Sequence, residues 1–211
     1  MIGGCTTAGV AARPVGRRRR RRGAAVVAAV LAATAVLGTP TAATAQVMEV
    51  PVAVQIPLFL KTLAFDRELK KRAPTEIVFA VVYQGGHRPS VTARDEAVRA
   101  LAAAAPVEGL PLRIVTIDLD RDTLVAALER ERVTMLYITP VRGVDISAIG
   151  RSAQFAGATT FTGVARYISA GLAVGVRLQG DRPKLLINVD SARLEGAEFR
   201  AELLKLAQVV R

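Results

Sequence analysis

The sequence predicts an α/β fold with a mostly parallel sheet, helices on both faces and an antiparallel hairpin near the C-terminus. A continuous apolar, β-branched run at residues 76–83 is typical of a central strand buried on both faces. Similar runs alternate with segments of helical periodicity across short loops, which indicates βαβ units. Near the C-terminus, two segments with a period of two flank the turn cluster Gly180–Pro183, which predicts the hairpin.

The first helix is expected before the first strand. Apolar residues recur there at helical spacing: Val52, Ile56, Phe59, Leu60 and Leu63. Pro57 interrupts the pattern, and it either opens the helix as its first residue or kinks a longer one. After the first strand, Thr92 with Asp95 predicts a helix cap. The buried stripe expected for that helix is Val98, Leu101, Ala102 and Ala105.

Three more strands are expected over 112–117, 133–138 and 158–164. The helix between the first two of these should face inward with Leu124, Val125 and Leu128. A short helix is expected over 145–154. Because no linker or repeat divides this part of the chain, it is expected to form one core.

The C-terminal forty residues carry the clearest pattern. Strands are expected over 172–178 and 184–189, and a loop over 190–198. A terminal helix should follow and bury one face of apolar residues at spacings of three and four: Phe199, Leu203, Leu206, Ala207 and Val210.

This C-terminal part resembles the signature of the YfiR-like proteins, in which a hairpin carrying an Ile-Asn pair precedes a terminal Leu-Leu-x-Leu-Ala helix. The residues that carry the resemblance are Gly175–Leu178, Pro183–Val189 and Leu203–Val210, and it extends more loosely back to about Val50. It implies a Rossmann-like α/β domain with the capacity to form a homodimer. It is a signature of fold and family, not of a catalytic site.

The resemblance also implies a function. The named member of the family is a periplasmic protein that binds the sensor domain of an inner-membrane diguanylate cyclase and represses cyclic-di-GMP synthesis. By analogy, the expected role is that of a non-enzymatic periplasmic regulator whose partner is an inner-membrane sensor protein, either a diguanylate cyclase or a sensor kinase. The alternative is a periplasmic domain that binds a small anion.

The basic charge is concentrated in the first 45 residues. The chain of 211 residues has a formal net charge of +11, and residues 1–45 hold seven arginines and no acidic residue, which leaves +4 for the rest. Arg17–Arg22 are followed by the apolar run Gly23–Gly38 and by small residues ending in Ala43-Thr44-Ala45. This order predicts an export signal cleaved between Ala45 and Gln46.

The predicted organisation is therefore an export signal at 1–45 and one α/β domain at 46–211, located in the periplasm. A membrane anchor is the alternative for the leader, but its apolar run is shorter than the roughly 20 residues that a span needs. No membrane span is expected in the mature chain. The twin-arginine export route stays open.

Several classes of function are disfavoured by composition. The chain has nine aromatic residues and no Trp, and its arginine run precedes an apolar segment, so nucleic-acid binding is not expected. Cys5 is the only cysteine and lies in the leader, so the mature chain should have no disulfide or thiolate chemistry. With His87 as the only histidine, no metal site is expected, and no cofactor is predicted.

Candidate site residues lie where the parallel strands end, because ligands of open α/β sheets gather there. The Gly85-Gly86-His87-Arg88 loop is one candidate for ligand or partner binding, and Arg142 is another, since arginines hold carboxylates and phosphates. An ordinary turn explains the same residues. Catalysis by His87 with Ser90 is not expected, since no nucleophile-elbow motif is present.

A pair of carboxylates, Asp118 and Asp120, follows the second strand. Such a pair could serve acid–base chemistry or bind Mg²⁺. Capping of the next helix explains one of the two residues more simply, and that structural role is the stronger expectation.

Overall fold

The computed structural model describes residues 48–210, which form a seven-stranded sheet of order β2-β1-β3-β4-β5-β6-β7. The strands are β1 Ile77–Tyr83, β2 Leu112–Asp118, β3 Met135–Ile138, β4 Thr159–Thr162, β5 Val174–Gln179, β6 Arg182–Asn188 and β7 Gln208–Val210. Strands β1 to β5 are parallel, β6 is antiparallel to β5, and β7 is parallel to β6. The predicted fold class is confirmed. The predicted export signal and its cleavage site at Ala45 and Gln46 lie outside the described residues.

Helices cover both faces of this sheet. They are α1 Val52–Leu63, α2 Leu69–Arg72, α3 Arg88–Ala102, α4 Leu124–Glu131, α5 Ile146–Ala156, α6 Arg166–Ser169, α7 Val189–Leu194 and α8 Ala201–Leu206. One apolar core lies beneath α1, α3 and α8, and a second lies beneath α4, α5 and α6. Between residues 48 and 210, no helix is long and apolar enough to cross a membrane.

Strand β1 joins the two cores. Its residues alternate between them, with Phe79 and Val81 in the first core and Ala80 and Val82 in the second. All four are fully buried, as the sequence predicted for a central strand. Strands β2 and β7 form the two edges of the sheet.

A buried glutamine fixes α1 to the sheet. The Gln55 side chain accepts a hydrogen bond from the Tyr137 hydroxyl at 2.7 Å and donates one to the carbonyl of Val50 at 2.6 Å. Burial raises the pKa of Tyr137 above its ordinary value, so the hydroxyl remains a donor. Gly163 leaves the room for this contact, because a Cβ there would lie only 2.3 Å from the Gln55 amide atoms. The first helix continues through Pro57. It packs on β3 and β4 through the ring of Phe59, which contacts those of Tyr137 and Phe161.

The predicted start of α3 was wrong. The helix begins at Arg88, with Pro89 in its first turn, and Thr92 is an exposed residue within it. Proline suits the first turn because its missing N–H would have no partner there. Since the helix starts earlier, its inward stripe also differs from the expected one, although Leu101 belongs to both. The buried residues are Ser90, Ala93, Ala97 and Leu101, whereas Val98 is half-buried and Ala102 and Ala105 are exposed.

The C-terminal segment departs from its predicted pattern. The expected loop over 190–198 contains α7, which Asn188 caps by accepting a hydrogen bond from the N–H of Ser191 at 3.0 Å. The terminal helix ends at Leu206, and Gln208–Val210 form a strand instead of the last helical turn. Pairing with β6 gives those residues backbone partners that a short helix end lacks. Leu206, the last residue of α8, is 66% exposed instead of buried.

Two smaller expectations also failed. In α4, Val125 is exposed and the buried residues are Ala127 and Leu128. Helix α6, a single turn that follows β4, was not predicted from the sequence.

Replacing Tyr137 with Phe should lower the free energy of unfolding by about 1–3 kcal/mol, because it leaves the buried Gln55 oxygen without its donor. Urea denaturation monitored by circular dichroism would measure this. Tyr83→Phe is the matched control, since Tyr83 is only partly buried and keeps its ring against the Arg94 guanidinium. An equal loss of stability in both variants would contradict the role given to Gln55.

Candidate functional site

The strand order places a topological switch point at the carboxyl ends of β1 and β3. From β1 the chain passes to β2 on one side, and β3 lies on its other side. Loops that leave adjacent strands in opposite directions open a crevice, which is where open α/β sheets bind ligands. The loop after β1 carries His87, and the loop after β3 carries Arg142.

Buried hydroxyl groups join these two loops. The Ser90 hydroxyl accepts a hydrogen bond from the N–H of Gln84 at 2.9 Å and lies 2.6 Å from the Thr139 hydroxyl. Thr139 in turn donates to the carbonyl of Val82 at 2.9 Å, so the proton between the two hydroxyls comes from Ser90. Both side chains are fully buried. Ser90 is therefore a structural link between β1, α3 and β3, and its hydroxyl is unavailable as a nucleophile.

The loop that carries Arg142 is held from two sides. The side-chain oxygen of Gln84 accepts a hydrogen bond from the N–H of Arg142 at 2.9 Å. The Tyr167 hydroxyl accepts from the N–H of Val141 at 3.1 Å and donates to its carbonyl at 3.2 Å. Burial raises the pKa of Tyr167 and keeps it protonated for this role. This role of Tyr167 was not predicted from the sequence, because the residue lies on the single-turn helix α6.

The backbone N–H groups of the two glycines in the loop after β1 bind carboxylates of the protein itself. Asp118 Oδ1 accepts a hydrogen bond from the N–H of Gly85 at 2.9 Å, and Asp120 Oδ2 accepts one from the N–H of Gly86 at 2.6 Å. Neither aspartate caps α4, whose N-cap residue is Thr123, so that expectation was wrong. Because the negative groups of the protein already bind these N–H donors, the loop does not form an empty cradle for an anion.

The structure brings the three predicted site residues together at the carboxyl ends of β1 and β3. His87 precedes α3 and is half-buried, Arg88 is the exposed first residue of that helix, and Arg142 is exposed on the neighbouring loop. The contact between Gln84 and Arg142 makes the two loops adjacent. Among residues 48–210, no cluster of three His, Cys, Asp or Glu side chains could hold a metal ion. The exposed arginines can bind an acidic surface or a small anion.

An apolar groove of about 290 Å³ lies between α1, β6 and α8. It is lined by Leu58, Lys61, Thr62, Phe65, Pro183, Lys184, Leu185, Leu203 and Leu206. We call it the α1–α8 groove. The groove was not predicted from the sequence, because the helical pattern placed Leu206 on the buried face of the terminal helix. Its only charged lining residues are the lysines, so its charge is positive.

Comparison with known proteins gives a family and a fold. A family model described as YfiR/HmsC-like matches residues 69–208. The match covers the sheet from before β1 to the start of β7. No match was found among curated proteins.

Solved structures with a similar fold are distant in sequence. A conserved domain protein from Vibrio cholerae has a TM-score of 0.52 and 15% identity, with 76% of this chain and 60% of that chain covered. A structure described as the ABC domain in complex with L-Trp from Streptococcus pneumonia has a TM-score of 0.53 and 15% identity, with 76% and 62% covered. This chain therefore spans about three-fifths of the length of either structure, and at this identity the likeness shows the fold alone.

Gly85→Ala should destabilise the protein by about 1–3 kcal/mol, because the new Cβ would lie 2.6 Å from Asp118 Oδ2. Chemical denaturation would measure the loss. Removing the obstacle with Asp118→Ala should reduce the cost of Gly85→Ala, and a double-mutant cycle would give the coupling between the two positions. Gly86→Ala is the control, because its new Cβ would lie 3.1 Å from Oδ2 of Asp120, which is an exposed residue. Additive effects of Gly85→Ala and Asp118→Ala would contradict the predicted contact.

Proposed function

This chain belongs to the YfiR/HmsC-like family, and from that membership we propose that it is a non-enzymatic periplasmic regulator. The family is one of periplasmic proteins that regulate diguanylate cyclases. In this proposal the mature protein, beginning at Gln46, binds the periplasmic sensor domain of an inner-membrane diguanylate cyclase or sensor kinase. Its output is then the conformation of the partner. The observation that carries the proposal is the family match over residues 69–208.

The polar side chains at the carboxyl ends of β1 and β3 support a role without catalysis. The hydroxyl of Ser90, the nearest one to His87 in sequence, is committed to Thr139. Asp118 and Asp120 accept hydrogen bonds from the glycine loop and are thereby engaged in holding it. No nucleophile, base and acid are arranged together at this edge within the described residues.

The α1–α8 groove is the surface that best fits a protein partner. Leu206 is 66% exposed beside it, and an exposed large apolar side chain at a groove is typical of an interaction site. Lys61 and Lys184 border the groove, and Lys184 donates a hydrogen bond to the carbonyl of Leu206 at 2.7 Å. The partner segment should therefore present apolar side chains flanked by carboxylates. The apolar contacts would supply affinity, and the lysines would orient the partner.

Leu206→Glu should weaken capture of the partner from solubilised inner membranes by about tenfold or more, which corresponds to a loss of roughly 1.4 kcal/mol or more in binding. The reason is that a carboxylate would replace an apolar contact. Pull-down with the mature protein, followed by identification of captured cyclases and kinases, measures this.

Leu194→Glu is the matched control for this experiment, because Leu194 is 63% exposed and is not among the groove residues. Both variants should fold as the wild type does. Equal capture by wild type and Leu206→Glu would argue against the groove, and failure to capture any membrane signalling protein would argue against the regulatory role. Finding the protein in the cytoplasm with its leader attached would argue against export.

Binding of a small anion is the second candidate, and the exposure of Arg88 and Arg142 on adjacent loops favours it. The carboxylates of Asp118 and Asp120 at the same edge oppose it. Thermal unfolding in the presence of phosphate or a dicarboxylate would decide between anion binding and the regulatory proposal. A rise in Tm that disappears in both Arg88→Ala and Arg142→Ala would support the anion site, whereas the regulatory proposal expects no change in Tm with these anions.

A further inference from the structure

Strand β2 forms one edge of the sheet, and no strand of the described chain lies on its outer side. It pairs with β1 over its whole length, from Leu112 opposite Ile77 to Asp118 opposite Tyr83. The other edge is β7, which has only three residues, so β2 is the longer of the two edges. The proposed function uses neither β2 nor the surface around it.

The hydrogen bonds to β1 determine which backbone groups of β2 point outward. The N–H of Ile77 donates to the carbonyl of Pro111 at 2.8 Å, and the N–H of Leu119 donates to the carbonyl of Tyr83 at 2.8 Å. In a parallel pair, the backbone groups of every second residue face the neighbouring strand, so the odd-numbered residues of β2 face β1. The residues whose N–H and C=O groups point away from the sheet are therefore Leu112, Ile114 and Thr116. Among residues 48–210, no other group bonds to these outward donors and acceptors.

Strand β2 lacks the usual protections of a sheet edge. Native edges are blocked by proline, by bulges or by charged side chains. This strand contains no proline, and its register with β1 runs without a bulge. Its arginine, Arg113, binds Glu76 at 3.0 Å and Glu131 at 3.1 Å. Its aspartate, Asp118, accepts from the N–H of Gly85 at 2.9 Å. Both charges are thus engaged within the fold, and the edge is left open to another strand.

The outer side of β2 is also accessible. Thr116 is exposed, and Ile114 and Val115 are half-buried. A groove of about 380 Å³ lies between Thr116 and the α3 helix. The α3 residues that line it are Arg94, Asp95, Val98 and Arg99. A strand added at this edge would cover the exposed parts of Ile114 and Val115 and would form a wall of the groove.

We propose that β2 pairs antiparallel with β2 of a second copy of this chain, so that the two sheets join across a two-fold axis. Two identical edges close as a dimer only when their strands run in opposite directions. Full overlap of Leu112–Asp118 with its copy places the middle residue, Val115, on the axis. Ile114 then lies opposite Thr116 of the second copy, and these two residues exchange both of their backbone hydrogen bonds.

The side chains of β2 suit this arrangement. Val115 meets Val115 of the second copy, and such cross-strand pairs of β-branched residues stabilise a sheet. Arg113 lies opposite Ile117 of the second copy, so the two arginines do not face one another. Because the basic and the acidic residue of β2 lie near its opposite ends, antiparallel pairing brings unlike charges to the same end.

The charges beside the edge favour a second copy over a strand of another protein. An isologous contact has to complement itself, so both signs of charge are expected on it. The groove beside Thr116 carries both signs, and within it Arg94 forms an ion pair with Asp95 at 2.6 Å. A strand from a different protein would bind the same backbone groups, and the experiment below distinguishes it.

The dimer also bears on partner binding, and this consequence rests on the proposed function. The α1–α8 groove lies beside β6, toward the other edge of the sheet, so pairing through β2 leaves it open. The dimer would then present two such grooves to a membrane partner. Because the oligomeric state is measured without a partner, the two proposals can fail separately.

Sedimentation equilibrium of the mature protein tests the contact. The wild type should form a dimer that dissociates on dilution, because a single strand pair is a small interface. Thr116→Pro should raise the dissociation constant of the dimer by at least about tenfold, since proline removes an outward donor and its ring blocks the second copy. The variant should still fold, because an edge strand tolerates proline where the missing N–H would face solvent.

Thr116→Lys is a second variant, which keeps the backbone donor and places like charges near the two-fold axis. It should also weaken the dimer. Thr92→Lys is the matched control, because Thr92 is an exposed threonine of α3 that does not line the groove, and this variant should dimerise as the wild type does. A wild type that stays monomeric at every concentration would overturn the proposal, as would equal dimerisation by the wild type and both Thr116 variants. Loss of partner capture in Thr116→Pro without a change in oligomeric state would assign the edge to a strand of another protein instead.

Amide hydrogen exchange followed by NMR supplies a measurement that needs no variant. The amides of Ile114 and Thr116 should be at least about tenfold better protected in the dimer than after dilution to the monomer. The amides of Arg113 and Val115, which face β1, should be protected in both states. A dimer in which Ile114 and Thr116 exchange as fast as in the monomer would contradict the contact through β2. If Thr116→Pro does not fold, this exchange pattern and Thr116→Lys decide.

Discussion

Burial of β1 on both faces is the constraint on which the rest of this structure depends. A strand with apolar side chains on both sides has to be covered by helices above and below, and its neighbours have to pair with it in parallel through crossover connections. Strands β2 and β3 occupy its two sides, and the chain must leave β1 toward one of them and return to the other. The adjacency of the Gln84 and Arg142 loops follows from this strand order.

The polar groups at the switch point join its loops to one another through hydrogen bonds. The hydroxyls of Ser90 and Thr139 and the carboxylate of Asp118 each satisfy a backbone or side-chain donor of a neighbouring loop. In many α/β proteins the corresponding donors bind a ligand, but in this chain other parts of the chain bind them. The polar donors at this end of the sheet are thus used within the fold, and the surface proposed for a partner is the α1–α8 groove.

Sequence reasoning succeeded where a local pattern determines the structure and failed where a distant contact does. The apolar run of β1 and the alternation along β5 and β6 define strands without reference to anything else in the chain, and the structure has them where they were predicted. Leu206 fits a helical period equally well, yet the pairing of Val209 with Ile187 ends the helix before that period is complete. The start of α3 was misplaced for another reason, since Thr92 offers a cap motif that burial of Ser90 against Thr139 overrides. Likewise, Asp118 and Asp120 could not be assigned to the glycine loop from sequence, because that contact spans more than thirty residues.

The close approach of Gly163 to Gln55 has a consequence for how this protein varies among related species. Any side chain at position 163 would occupy the space of the Gln55 amide, and shortening residue 55 would leave Tyr137 without its acceptor. The three positions are therefore expected to coevolve as a group. A relative with alanine in place of Gly163 should carry a smaller residue in place of Gln55 and a side chain without a hydroxyl in place of Tyr137.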